Sequence, residues 1–144
     1  MSDYKDGDIL IDTNILIYAL YNNGEKYKKA SKSLIQIGRS GKGILSIQTL
    51  AESYWVMVYK RKPGMDPNLA KQILIDYAET WKIIEPTKAT FLKAMGGVIN
   101  YKLSFWDAMQ WAIAFEYGVK TILTEDFNHG QIIEGVQIIN PFKV

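Results

Sequence analysis

An apolar run, Ile9-Leu10-Ile11, stops at an acid, Asp12, and apolar residues resume at Ile15 after only two small polar ones, Thr13 and Asn14. No other stretch constrains the fold as much. Continuous apolar residues of strand length read as a strand covered on both faces, the habit of parallel sheets with helices packed above and below. A helix then begins at about Asn14, which leaves Asp12 at the carboxyl end of the strand, where open parallel sheets bind their ligands. Thr13 and Asn14 can hydrogen-bond that carboxylate or cap the helix. One acid in such a place is as readily a simple cap, so its meaning depends on the other strand ends.

Strand-like runs follow at 43–46, 82–85, 121–124 and 137–139. Between them lies helical periodicity over 15–20, 25–38, 47–60, 67–81, 87–100 and 104–117, with turn signals at Asn22-Asn23-Gly24, Gly41-Lys42-Gly43, Pro86 and Gly118. The alternation predicts an α/β fold, a three-layer α/β/α sandwich with a mostly parallel sheet and right-handed crossovers. Residues 1–144 read as one domain without repeats or linkers, and the polar stretch 1–8 as a leader outside the fold. The second helix should bury Ala30, Leu34 and Ile37, and the fifth Phe91, Ala94, Met95 and Val98. Trp55, Trp106 and Trp111, all within apolar helices, read as core or dimer residues.

Composition removes several chemistries. With no cysteine there is no disulfide, zinc-thiolate site or thiol nucleophile, and a single histidine, His129, makes a His-rich metal site or a Ser-His-Asp triad improbable. No segment has the length of a transmembrane helix and the start lacks a signal-peptide pattern, so a cytoplasmic protein away from membranes is expected.

Carboxylates remain. Asp126 stands just beyond the 121–124 strand, Asp107 opens the helix at 104–117, and Glu52 lies on the helix after the second strand among Leu50, Ala51, Trp55 and Val56. Separately, each has a plain explanation: Ser104 and Asp107 have capping-box spacing, and Glu52 fits an exposed stripe with Gln48 and Tyr59. Those explanations do not predict that Asp12, Glu52, Asp107 and Asp126 share one crevice. Clustered carboxylates repel, and a hard divalent cation relieves this; oxygen-only ligands favour Mg²⁺ or Mn²⁺. Such an ion polarises a phosphodiester and activates water. Removing four of the 15 acids leaves 11 against 17 basic residues, an excess suited to a polyanion. Lys26, Lys28, Lys29, Arg61 and Lys62 are the candidate contacts to such a polyanion, although the lysines of residues 25–38 read more readily as a solvated helix face.

Taken together, Ile11-Asp12-Thr13-Asn14, the segment from Gln48 to Glu52, Ser104-Phe105-Trp106-Asp107-Ala108 and Leu123-Thr124-Glu125-Asp126-Phe127 resemble the motifs of PIN-domain ribonucleases. The tail from Gly130 through Asn140-Pro141-Phe142 resembles the VapC-like toxin branch. The resemblance implies strand order 3-2-1-4-5, with Asp12, Glu52, Asp107 and Asp126 as catalytic metal ligands. Thr13, Asn14, Ser104 and Thr124 would be the polar residues supporting them. It also implies Mg²⁺- or Mn²⁺-dependent endonucleolytic cleavage of RNA, a homodimer and a cognate antitoxin. The bulky Phe105-Trp106 pair before Asp107 departs from the usual pattern and bears on dimer packing or the substrate groove. A haloacid-dehalogenase-like phosphatase needs a second acid two residues after Asp12, where this chain has Asn14, and a receiver domain needs an acidic pair ahead of it. A PIN-like domain that binds RNA or a partner without cutting is the rival of a different class.

Overall fold

In the computed structural model, which describes residues 7–22 and 24–144, the first apolar run is strand β1 (Ile9–Ile11). It lies in the middle of a six-stranded sheet. The other strands are β2 (Gly43–Ser46), β3 (Lys82–Ile84), β4 (Thr121–Leu123), β5 (Ile132–Ile133) and β6 (Val136–Ile139), in the order β3-β2-β1-β4-β6-β5. Every pairing is parallel except that of β5 with β6. The expected order is therefore present, with β6 as its fifth strand. The addition is β5, a two-residue edge strand too short to give a period. It turns into β6 through Glu134 and Gly135, both at positive φ (47° and 84°), as tight hairpins require. Most of the polar leader, residues 1–6, lies outside the described residues, as does Asn23.

Successive strand residues face opposite sides, and each side has its own core. On one side Leu10, Ile44, Ile122 and Ile138 pack with Ala94, Ala108, Trp111 and Ile113. These belong to helices α5 (Lys88–Tyr101) and α6 (Phe105–Glu116). On the other, Ile9, Ile11, Leu45, Leu123 and Ile139 meet Ile15, Leu16, Ala30, Leu34 and Ile37. The latter come from α1 (Thr13–Leu20) and α2 (Glu25–Ser40), and Leu74 and Tyr77 of α4 (Pro67–Thr80) pack against the same cluster. The sheet is thus covered on both faces.

Two expectations fail locally. The helix foreseen over 47–60 is α-helical only in α3 (Ile47–Trp55) and then widens into a π-helical turn, Val56–Lys60. Such turns often mark functional sites. In α5, Ala94 is buried but Phe91 and Met95 are exposed. The helix approaches α6 through its small residues: a Cβ on Gly97 would stand 2.7 Å from Cζ3 of Trp111, so the bulky neighbours are left on the flank. Of the three tryptophans read as core or dimer residues, Trp111 is 1% exposed and donates from Nε1 to the Ile133 carbonyl at 3.1 Å. Trp55 and Trp106 are not in the core; Trp106 is 60% exposed.

Candidate active site

Asp12 ends β1 and caps α1, its Oδ1 accepting the N–H of Thr13 at 2.8 Å. The same oxygen accepts from Nε2 of Gln110 at 3.0 Å, and Oδ2 accepts from the Thr124 hydroxyl at 2.7 Å. Gln110 comes from α6 and Thr124 follows β4, so three elements lock a buried carboxylate. Gln110 is itself held by donation to Oγ1 of Thr49 at 2.9 Å.

Asp126 follows β4 on the neighbouring strand. Its backbone N–H donates to Oγ1 of Thr124 at 3.0 Å, and its Oδ2 accepts from Nδ2 of Asn14 at 3.0 Å. Oδ1 of Asn14 in turn accepts the Glu125 N–H at 3.2 Å, so Asn14 clamps the loop after β4 to the start of α1. Asp107 arrives from the other face of the sheet. It occupies the third position of α6, its N–H donating to Oγ of the capping Ser104 at 3.3 Å. Asp12, Asp107 and Asp126 each offer one carboxylate oxygen, and these three oxygens lie within 4.8 Å of one another.

The proton affinities reflect the crowding. Burial, opposed by Ser104 and reinforced by the charges of Asp126, Asp12 and Glu52, raises Asp107 to about 6. Asp126 is also raised, first by burial and then by Asp12 and Glu125, with Asn14 opposing. Glu52 is raised by burial and by Asp12, while its hydrogen bond from Gln48 Nε2 (2.8 Å) opposes the shift. Glu52 stands outside the close triad but lines the same cavity of about 510 Å³ as the other three acids. That volume is within the range of about 300–1,000 Å³ usual for ligand pockets.

The cavity also takes in residues to which the sequence alone assigns no part in the site. Gln110 is the only polar residue in the buried run 108–114 and sits one helical turn from Asp107, a signal that could have found it. Lys60 lines the cavity as well, as does Trp106 of the pair expected to bear on dimer packing or the substrate groove, and His129 does not. His129 instead accepts the Asn140 N–H at Nδ1 (3.0 Å).

The five expected RNA contacts divide. Arg61 lines the cavity, its guanidinium over the Tyr21 ring at 3.6 Å. Lys26 is engaged by the Glu125 carboxylate and the Tyr18 hydroxyl and lies over the rings of Tyr18 and Phe142. Lys28 pairs with Glu25 at 3.5 Å on the surface of α2. Lys29 and Lys62 are exposed and do not line the cavity.

Donor chemistry and spacing both suit a hard divalent ion. The three close ligand atoms are all oxygens. Ligands around one Mg²⁺, at about 2.0–2.1 Å from it, are about 3 Å apart when adjacent and about 4.2 Å when opposite, so oxygens within 4.8 Å of one another come to one ion by side-chain adjustment. Burial and the neighbouring carboxylates raise the proton affinities of Asp107 and Asp126, and a cation held among them would oppose that shift.

Compared with known proteins, residues 9–133 match the family model described as PIN domain. No curated protein matches the sequence. Among solved structures, a toxin–antitoxin complex from Klebsiella pneumoniae superposes with TM-score 0.66 at 21% identity, over 93% of this chain and 98% of that one. A VapC toxin of Mycobacterium tuberculosis described as cleaving the sarcin–ricin loop gives 0.66 at 18%, over 88% and 98%. A VapBC complex from Rickettsia felis bound to promoter DNA gives 0.63 at 14%, over 90% and 96%. At these identities the likeness is one of fold.

Proposed function

The chain belongs to the PIN-domain family, and on that basis we propose that it is a divalent-metal-dependent endoribonuclease, the toxin of a toxin–antitoxin pair. The observation that carries this reading is the meeting of the Asp12, Asp107 and Asp126 oxygens at the carboxyl edge of the parallel sheet. Mg²⁺ or Mn²⁺ held there would polarise the scissile phosphodiester and activate water. Asp12, Asp107 and Asp126 would hold the ion, with Glu52, which lines the same cavity, as the fourth acid.

The chain's other residues keep these groups in place. Gln110 and Thr124 fix both oxygens of Asp12, and Asn14 fixes Asp126, so the donor set needs little rearrangement before substrate arrives. Thr13 secures Asp12 through its backbone, and Ser104 anchors the helix turn that presents Asp107.

The solved relatives that are toxin–antitoxin complexes support a cognate antitoxin as partner; a homodimeric, cytoplasmic protein is proposed on the family resemblance of its motifs alone. Among the described residues no helix is long and apolar enough to cross a membrane. The test is cleavage of mixed cellular RNA with Mg²⁺, Mn²⁺ or EDTA, comparing the chain with Asp12→Asn. Metal-dependent cutting lost in the variant supports the reading. Equal behaviour of the two proteins, or binding without cutting, would leave a non-catalytic domain.

A further inference from the structure

We propose that the cavity contains a nucleotide subsite in which Trp106 stacks on an unpaired base while Lys60 and Arg61 hold a backbone phosphate. The proposal rests on the RNA-directed reading of this pocket.

Trp106 immediately precedes Asp107 in the first turn of α6, and its ring forms part of the cavity wall. It remains 60% exposed while the neighbouring Phe105 packs inward against the α5–α6 core and meets Phe91 edge-on at 6.1 Å. Phe105 supports Trp106 in turn, with ring centroids 5.0 Å apart and planes at 70°. The indole is thus braced from one side and open to solvent. A single exposed aromatic is ordinary on a protein surface, and it is the place of Trp106 in the wall of the acidic cavity that points to a ligand.

The cations come from the end of α3. Lys60 closes the π-helical turn and Arg61 follows it, and both line the cavity. Among the described residues neither forms an ion pair, in contrast to Lys26, Lys28 and Lys93. Arg61 is oriented by Tyr21 beneath its guanidinium plane, which leaves its edge N–H groups available. Unpaired cations and an open indole around a carboxylate floor suit an anion that also carries a π-face. A nucleotide has that chemistry; an acidic peptide lacks the base. A base within a duplex has both faces covered and must first be unstacked, so the subsite favours single strands or loops.

The experiment uses the full chain carrying Asp12→Asn, so that the probe stays whole. Three fluorescein-labelled probes of about twelve units are compared by anisotropy: oligoadenylate, its duplex with oligouridylate, and an abasic ribose-phosphate backbone. The expected order of affinity is single strand above duplex and abasic chain. Trp106→Ala should weaken oligoadenylate binding by about 5- to 150-fold, the range for one base on one ring. Trp106→Phe should restore most of it, and Trp106→Ala should leave the abasic probe unaffected. Lys60→Ala with Arg61→Ala should weaken all three probes and flatten the salt dependence by roughly 0.7 in slope for each phosphate no longer held.

The subsite is refuted if Trp106→Ala binds oligoadenylate as its parent does, which would leave that wall to a protein partner. It is refuted too if the abasic probe loses as much as the adenylate, or if the parent prefers the duplex. Cleavage by the unmutated chain in Mn²⁺ is scored separately. Trp106-dependent binding without cleavage overturns the nuclease and leaves the subsite, whereas cleavage with Trp106-indifferent binding overturns the subsite alone.

Discussion

Replacing Asp107 with Asn separates a metal ligand from a helix-start residue. In the metal-free protein Asp107 is held at about 6 against an ordinary 3.8, chiefly by burial. The folded chain therefore keeps this proton more tightly than the unfolded one, and the wild type loses stability as pH rises from about 4 through 6. Unscreened, that displacement corresponds to about 3 kcal/mol, and partial solvent contact reduces it to about 1–2 kcal/mol. Asn escapes this penalty but gives up the favourable position of a negative charge in the first turn of α6, roughly 0.3–1 kcal/mol. The net expectation in EDTA at pH 8 is a gain of about 0.5–1 kcal/mol, a rise in Tm of about 1–4 °C. It should fade towards pH 4 as the unfolded chain also begins to bind the proton at its ordinary 3.8. Circular-dichroism melts across pH 4–8 measure it. Added Mn²⁺ at a hundred times Kd should stabilise the wild type by about 2.7 kcal/mol and the variant by much less. A variant that melts lower at pH 8 and keeps the full Mn²⁺ response would refute the reasoning and reduce Asp107 to a helix-start residue.

Gln110→Leu removes the donor shared by Asp12 and Thr49. It should cost about 1–3 kcal/mol in urea denaturation and lower Mn²⁺ affinity about 10- to 100-fold by calorimetry. Because Asp107 sits at about 6 and Asp126 and Glu52 are also raised, protons compete with the ion. Mn²⁺ affinity should fall at least about tenfold per pH unit below that value, and a flat profile between pH 7 and 5 would contradict the assigned ligands. Gly97→Ala would place a methyl 2.7 Å from the Trp111 ring, so chemical denaturation should show a loss of about 1–3 kcal/mol.

Local pattern in the chain encodes the architecture and part of the site. Apolar residues at 9–11, 44–45 and 122–123, buried in their strands, demand cover on both faces of a sheet, and helical periods between them supply it. Asp12 and Asp126 are legible as candidates because a strand that stops at an acid puts that acid at the carboxyl edge whatever the detailed packing. Asp107 and Glu52 are harder, since their helices could have turned the carboxylates outward. Tertiary packing brings Asp107 to Asp12 and Asp126 within 4.8 Å, while Glu52 remains in the same cavity but outside that group.

Other features depend on contacts between distant segments. Gln110 becomes intelligible only when α6 carries it onto Asp12, 98 positions away in the chain. Lys26 looks available to RNA until the loop after β4 brings Glu125 to it, and Lys60 gains its place through a π-helical turn that no apolar period announces. Trp106 shows the limit most clearly. An apolar helix predicts that its tryptophans are buried, yet α6 buries Trp111 and exposes Trp106 beside the acids. Helical spacing fixes which residues share a face, and only the packing of that helix against its neighbours fixes which face meets water.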